Sequence, residues 1–213
     1  MFKKILLVLF LIIGGFSAFV ASRPDHYHVE RSATMAAPAD VVYAQVDDLR
    51  AWSAWSPWEK RDPDMKKTYE GPERGVGAVY IWQGNQQVGQ GKTTITASTP
   101  PNALRMETHF IQPFPSVATS GFDLAPSGDH TKVTWSTDGK VAFMGKFFGL
   151  FFNMDSIVGP DFDRGLEGIK NVAEAKATEQ KAHDAAAQAA ATAQAAAAGQ
   201  GAQAPAAAAA PAK

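Results

Sequence analysis

The residues of this chain that could do chemistry are histidines and carboxylates, because the sequence contains no cysteine. Thiolate nucleophiles, disulfides and cysteine-bound metals or iron–sulfur clusters are therefore excluded. His26 and His28 stand two residues apart, which would place two metal ligands on one strand face, but no third ligand accompanies them at a recognisable spacing. We interpret both as surface histidines near a membrane, and we expect neither a metal nor a cofactor.

Glu107 and His109 form a second pair with groups suited to acid–base work. They alternate with apolar residues, so they fall on the face opposite Met106 and Phe110. A group that faces solvent lacks the desolvation that would tune its pKa for catalysis. We predict a surface pair rather than an acid–base dyad, and we favour a noncatalytic role over an enzyme.

Trp52, Trp55 and Trp58 recur at a spacing of three, which puts their rings on one helical face. Pro57 would end that turn. We interpret the three rings as a packing plug at one end of a sheet, and the alternative is a box that stacks a ligand.

The overall charge argues against nucleic acid as a partner. Lys and Arg total 20 against 21 Asp and Glu, a net charge of -1. There is no basic block and no stripe of Arg interleaved with aromatic residues to follow a phosphate backbone.

The first 22 residues have the pattern of a membrane anchor. Two lysines precede 17 residues from Ile5 to Ala21 that carry no charge, close to the length that spans a bilayer core of about 30 Å. A signal peptide has the same layout, but Phe16 and Phe19 spoil the small-residue cleavage sites. The leading lysines favour a cytoplasmic N-terminus. We therefore expect an uncleaved, single-pass anchor in a bacterial inner membrane with the domain on the periplasmic side; a cleaved signal is the alternative.

The last segment, residues 177–213, is an Ala-rich, low-complexity tail. It contains no aromatic residue and no Leu, Ile or Val, so it has nothing with which to build a core. We expect a helical extension followed by a flexible end, and the alternative is a spacer used for interactions.

The middle region alternates between apolar and polar residues with a period of two, which predicts strands with one wet face. The predicted strands are residues 27–34, 67–70, 78–83, 88–98, 104–110, 122–124 and 133–136. Short loops between them favour an antiparallel meander. Two short helices follow the first strand, in the runs that begin at Ala37 and Trp52.

The last helix is predicted to begin at Pro160, a residue suited to a first helical turn. Its apolar stripe consists of Phe162, Leu166, Ile169 and Ala173. Gly165 and Gly168 lie in its interior, where each costs about 1 kcal/mol relative to Ala. We expect a strand backbone or a bound ligand to approach the helix closely there.

These pieces occur in a recognisable order: Val29-Glu30-Arg31-Ser32, then Ala37-Pro38-Ala39-Asp40, then Trp52 to Trp58, then Gly75-Val76-Gly77-Ala78, Val133-Thr134-Trp135 and Gly159-Pro160-Asp161-Phe162. The order resembles the SRPBCC superfamily, and within it the polyketide cyclase/dehydrase-like group of START-related proteins, over residues 26–176. The resemblance implies an α+β helix-grip fold, in which a curved antiparallel sheet of about seven strands surrounds a long C-terminal helix. It also implies an apolar cavity that members use for lipid transfer, hormone binding or aromatic cyclisation.

From this pattern we predict that the chain binds or transports a hydrophobic small molecule or lipid in an internal cavity at the membrane surface. The alternative is a polyketide cyclase-like or other small-molecule enzyme, which would need at least two polar side chains in the cavity. The predicted ligand-binding residues are Tyr80, Trp82, Met106, Phe110, Phe122, Trp135, Phe148, Phe152 and Leu166. The polar residues whose inward placement the pattern leaves open are Asp155, Tyr69 and Glu70.

The stretch from residue 141 to 154 is apolar on more than one side of a predicted helix. One stripe is Phe143, Phe147, Leu150, Phe151 and Met154, and the other is Met144, Phe148 and Phe152. The domain core covers one side. Either the loop Pro113-Phe114-Pro115 covers the other, or the segment is a mobile lid that dips into the bilayer surface.

Overall fold

The computed structural model describes residues 2–151 and 153–201. It has five α-helices in those residues, α1 (Phe2–Ala21), α2 (Ala39–Asp47), α3 (Pro57–Arg61), α4 (Phe143–Phe148) and α5 (Met154–Gly201), and a 3-10 turn at Ala51–Ala54. The strands are β1 (His26–Met35), β2 (Lys66–Glu70), β3 (Val79–Gln83), β4 (Gln90–Thr99), β5 (Ala103–Gln112), β6 (Ser116–Ser127) and β7 (His130–Lys140). The chain divides into two compact units, one ending at Glu174 and the other beginning at Ala175. The described part of the second unit is helical.

The seven strands form one antiparallel sheet in the order β1-β7-β6-β5-β4-β3-β2. Every neighbouring pair except β1–β7 is also consecutive in the chain, which is the meander that the short loops predict. The predicted α+β class, with about seven strands and a long C-terminal helix, is confirmed.

The terminal helix α5 begins six residues before the predicted start at Pro160. Asn153 starts it: its side-chain Oδ1 accepts a hydrogen bond from the Asp155 N–H at 3.0 Å, and its carbonyl accepts one from Ser156. Asn153 is therefore the N-cap residue of α5. Pro160 instead lies inside the helix, where it lacks the N–H that would bond to the carbonyl of Ser156.

The predicted apolar stripe of α5 is confirmed, since Phe162, Leu166, Ile169 and Ala173 are all buried. The interior glycines lie where other parts of the protein approach the helix closely, and the backbone involved is that of Trp55, just after the 3-10 turn, and not that of a strand. A Cβ on Gly168 would lie 2.6 Å from the carbonyl oxygen of Trp55, and one on Gly165 would lie 2.6 Å from the Trp135 ring.

Helix α1 precedes β1 by only four residues, Ser22 to Asp25. Its 20 residues make it the one helix in the described ranges that is long and apolar enough to cross a membrane, a test that a signal sequence passes as well. It contacts α4: the Phe16 and Phe147 rings lie 6.1 Å apart, and Lys146 Nζ donates to the carbonyl of Ala21 at 3.1 Å.

Candidate functional site

The inner face of the sheet, which α5 packs against, carries side chains of two different sizes. Away from α1 they are large. Leu104, Phe122 and Trp135 face each other across β5, β6 and β7 and are buried. Phe162 of α5 stacks on Trp135 with ring centroids 4.0 Å apart. This part of the inner face is a packed core.

Towards the end of the sheet where β1 begins and β7 ends, which we call the anchor end, the inner side chains become small. Thr93, Thr108, Ala118 and Gly139 are register partners across β4 to β7. Thr93 and Thr108 share a hydrogen bond of 2.9 Å between their hydroxyls. One step further from the anchor end, Ser120 donates to the Thr137 hydroxyl at 2.8 Å. We call these residues the small-residue patch: Thr93, Thr108, Ala118, Ser120, Thr137 and Gly139.

Aromatic rings from the two sides of the sheet flank this patch. Tyr27 of β1 lies over Gly139, and Trp82 of β3 lies over Gly91, so that a Cβ on either glycine would collide with the ring. Tyr80 stacks on Trp82 at 5.7 Å, and Trp82 meets Phe110 edge-on at 6.1 Å. Burial raises the pKa of Tyr27 above its usual 10.0. The inner face at the anchor end therefore combines aromatic rings with a few hydroxyl groups, a composition that small-molecule sites share.

At the anchor end the rim of the interface between α5 and the sheet is partly exposed. Phe110 points to the inner face by alternation, yet it is 39% exposed. On α5, Phe162 and Leu166 are buried, whereas Met154 and Val158, nearer the start of the helix, are only half-buried. The anchor end is therefore the side on which the rim of the inner face is partly exposed, while Thr108 and Ala118 themselves are buried.

A polar cluster lies beside this site, between α3 and the edge strands. The buried Glu59 carboxylate accepts hydrogen bonds from Lys67 Nζ at 2.6 Å and from the Tyr80 hydroxyl at 3.1 Å. Burial, followed by the charge of Glu59, raises the pKa of Tyr80 well above its usual 10.0. The hydrogen bond to Glu59 likewise raises the pKa of Lys67. Tyr80 and Lys67 thus stay protonated at neutral pH, as donors.

The predicted ligand-binding residues fall into three groups. Six are buried between the sheet and the helices: Tyr80, Trp82, Met106, Phe122, Trp135 and Leu166. Phe110 is partly exposed at the anchor end. The Phe148 side chain and Phe152 lie outside the described residues. In β3 Tyr80 and Trp82 are buried whereas Val79 and Ile81 are only half-buried, so the two aromatic residues lie on the inner face.

Of the three polar residues left open by the sequence, Tyr69 lies on the inner face as the register partner of Tyr80, and Asp155 and Glu70 do not. Asp155 pairs with Arg31 at the edge of the sheet, and Glu70 is exposed. Tyr69 stacks on Tyr80 at 5.4 Å. Other polar residues at the inner face are Glu59 and the hydroxyl residues of the small-residue patch. The threonines stand at strand positions where the alternation calls for an apolar residue, and this pattern predicts that they face inward. No sequence pattern predicts the inward position of Glu59.

The histidines singled out by the sequence lie on the surface. His28 bonds to Asp138 at 2.8 Å, which raises its pKa above the usual 6.5, and His26 bonds to Asp25 at 2.6 Å. His109 pairs with Glu107 on the outer face, both about half exposed. In residues 2–151 and 153–201 no group of three or more His, Asp or Glu is arranged to hold a metal.

The three tryptophans pack against the protein rather than around an open box. Trp52 Nε1 donates to the carbonyl of Val46, and Trp55 Nε1 donates to that of Gln45. Trp58 meets Trp135 edge-on at 6.0 Å. Trp135 Nε1 is buried and has no hydrogen-bond partner among the described residues.

A cleft of about 540 Å³ lies away from the inner face, between α3 and α5. Its lining includes Lys60, Arg61 and Arg164. Arg61 and Arg164 both bind the Asp161 carboxylate, and the bond from Arg61 ties α5 to α3.

The family model described as polyketide cyclase/dehydrase and lipid transport matches residues 26–174. The chain belongs to this family. The match confirms the resemblance drawn from the motifs, and the family implies binding of a hydrophobic small molecule. A search of the curated proteins found no match.

Solved structures of the same fold come from several bacteria. The Zhui aromatase/cyclase from Streptomyces sp. R1128 has a TM-score of 0.52 and 16% identity, covering 70% of this chain and 94% of that one. The Aha1 dimer from Colwellia psychrerythraea has a TM-score of 0.50 and 12% identity, covering 70% and 96%. A protein from Chromobacterium violaceum has a TM-score of 0.50 and 14% identity, covering 71% of this chain and 99% of that one. At these identities the likeness establishes the fold alone.

Proposed function

We propose that this chain binds a hydrophobic small molecule or lipid over the small-residue patch, at the surface of a membrane that α1 crosses. The observation that carries the proposal is the change in side-chain size along the inner face. In the packed core, Phe162 of α5 stacks directly on Trp135, and the side chains of the sheet there are large. Over Thr108 and Ala118 the side chains of the sheet are small, and Met154 and Val158, near the start of α5, are only half-buried. An apolar molecule of moderate size would complete this part of the core.

The hydroxyls of Thr93, Thr108, Ser120 and Thr137 suit an occupant that is mostly apolar. Each hydroxyl already has a partner on the neighbouring strand, so an alkyl or aromatic group leaves none of them unsatisfied. Each also keeps a free lone pair for a polar group of the ligand.

The route from the membrane would pass beside α4. Phe143, Met144 and Phe151 are exposed, and Phe147 of the same segment contacts Phe16 of α1. The loop that contains Phe114 does not cover them, because Phe114 is itself 80% exposed. Apolar side chains that are exposed beside a membrane-spanning helix lose their contact with water most favourably by contacting lipid. The short linker after α1 keeps them within reach of the bilayer surface: four residues span at most about 14 Å.

The test is retention of ligand by the full chain purified from its host membrane in mild detergent, read by native mass spectrometry. The proposal expects a bound apolar molecule on the parent protein and its loss in Ala118→Phe, which fills the patch. The matched control is Thr119→Phe, one residue away on the outer, exposed face, which should retain the molecule. Loss in both variants, or in neither, contradicts the proposed site. Circular dichroism establishes that both variants are folded.

An enzyme acting on a polyketide or other aromatic substrate is the second candidate, and the polar cluster is what favours it. Glu59 and Tyr80 are two polar side chains beside the inner face, and the raised pKa of Tyr80 keeps it protonated, as a hydrogen-bond donor, to high pH. The carboxylate is, however, already engaged by Lys67. Turnover of a linear polyketide that falls at least tenfold in Tyr80→Phe would support this candidate; no turnover by the parent protein contradicts it.

A further inference from the structure

The β5–β6 hairpin is the second exposed apolar element at the anchor end. Ile111, Phe114 and Val117 surround its tip and are about half or more exposed. They belong to β5, β6 and the loop between them, and so form an apolar surface separate in sequence from that of α4. From residue 108 to 122 there is no Asp, Glu, Lys or Arg. Three large apolar side chains on an uncharged tip are unusual for a surface in water.

The tip reaches the level at which α1 ends. Ala118 pairs with Gly139, so β6 begins just past the last pair of β1 with β7, His26 with Lys140. Phe114 is then about three residues, or roughly 10 Å, beyond that level. The four-residue linker from β1 back to α1 spans at most about 14 Å. A bilayer that contains α1 therefore has its surface close to Phe114.

The loop backbone is also suited to an apolar environment. Pro113 and Pro115 flank Phe114 and have no N–H, so two donors that would otherwise lose water on insertion are absent. The hairpin at the opposite end of the sheet, Ser127-Gly128-Asp129, is polar. The two ends of one sheet thus differ in the way expected if only one of them meets lipid.

We propose that the β5–β6 hairpin inserts Phe114, with Ile111 and Val117 beside it, into the outer part of the bilayer that holds α1. Together with α4 it gives the domain two apolar contacts at the anchor end, which turn that end of the sheet towards the lipid. The inference rests on the proposed function, in which α1 crosses the membrane.

The experiment uses the absence of native cysteine. Phe114→Cys, Ser127→Cys, Met144→Cys and Leu9→Cys are made singly in the full chain, labelled with a nitroxide and reconstituted in vesicles of phosphatidylethanolamine and phosphatidylglycerol. Collision with oxygen, which concentrates in the bilayer, is compared with collision with a nickel chelate that stays in water. Labels at 9 and 127 give the bilayer and water references.

The inference expects the label at 114 to collide more with oxygen than with nickel, the reverse of the label at 127. Greater nickel access at 114, as at 127, overturns it. Low access to both reagents at 114 would mean protein contact, such as a second copy of the chain, and overturns it equally. If 114 is in water while 144 is in the bilayer, the proposed function stands without the hairpin. If the label at 9 is in water, α1 does not span the membrane and both fail.

Discussion

The guanidinium of Arg31 holds the carboxylate of Asp155 through two hydrogen bonds, of 2.7 and 2.9 Å. The pair joins β1 to the first turn of α5. Gly159 makes room for it, because a Cβ there would collide with the guanidinium. Because Pro160 removes a helix hydrogen bond just beyond, we infer that this ion pair, which we call the latch, holds the start of α5 against β1.

Breaking the latch in Arg31→Met should free the segment from α4 to Pro160 without unfolding the sheet. Amide hydrogen exchange of residues 141–159 should quicken severalfold while that of the strands changes little, because local openings are independent of global unfolding. Arg105→Met is the control, since Arg105 makes a similar pair of 2.6 Å with Asp123 on the outer face. Equal effects of the two variants on residues 141–159 would show that Arg31 is not a latch.

The latch should weaken in acid. The hydrogen bonds from Arg31 lower the pKa of Asp155 below its usual 3.8. A lowered folded-state pKa means that the stabilisation is present above 3.8 and is lost as pH falls through the folded-state value. The difference in Tm between the parent protein and Asp155→Asn should therefore be constant near neutral pH and shrink below 3.8. A difference that grows on acidification would contradict this assignment.

The buried carboxylate of Glu59 should matter more to stability than an exposed one. Glu59→Gln removes the charge that holds Lys67 and Tyr80, and should lower the free energy of unfolding by about 1–3 kcal/mol. Glu107→Gln, which breaks the exposed pair with His109, should cost less than about 1 kcal/mol. Urea unfolding of the two variants gives the comparison, and similar losses would mean that the buried cluster is not structural.

Gly168 should not tolerate a side chain. Gly168→Ala gains about 1 kcal/mol of helix propensity but pushes a methyl group against the Trp55 carbonyl, and overpacking of this kind costs about 1–3 kcal/mol. We expect a net loss, measured as a lower denaturation midpoint. Asn171→Ala, exposed on the same helix, should be neutral or slightly stabilising. A stabilised Gly168→Ala would mean that α5 does not lie this close to Trp55.

Exposed apolar residues at the anchor end should take part in the transfer of lipid between membranes. Met144→Ser should reduce the rate at which the full chain, reconstituted in vesicles, moves a fluorescent lipid to acceptor vesicles, by severalfold or more. Val76→Ser is the matched control: Val76 is 57% exposed and Met144 59%, but Val76 lies in the loop before β3, away from α1. A similar reduction in both would reflect general loss of apolar surface.

Sequence reasoning recovered the sheet and the helix stripe because both depend on periodicity, which burial on one face imposes on every strand. It did not predict the features that depend on a single side chain. Asn153 starts α5 by one capping bond, whereas Pro160, the more conspicuous residue, is tolerated inside the helix. The small-residue patch was missed because Thr93 and Thr108 are polar by type, although they occupy inward positions. Glu59 was missed because its partners, Lys67 and Tyr80, come from strands that only the tertiary fold brings to α3.

The most direct test of the account is photo-crosslinking of a diazirine-bearing fatty-acyl lipid to the full chain in vesicles, with the modified residues mapped by mass spectrometry. The account predicts labels on the inner face at the anchor end, on Phe110, Thr108, Ala118 and their neighbours, in addition to those on α1, and their loss in Ala118→Phe. Labels confined to α1 and α4, with none on the inner face of the sheet, would contradict it.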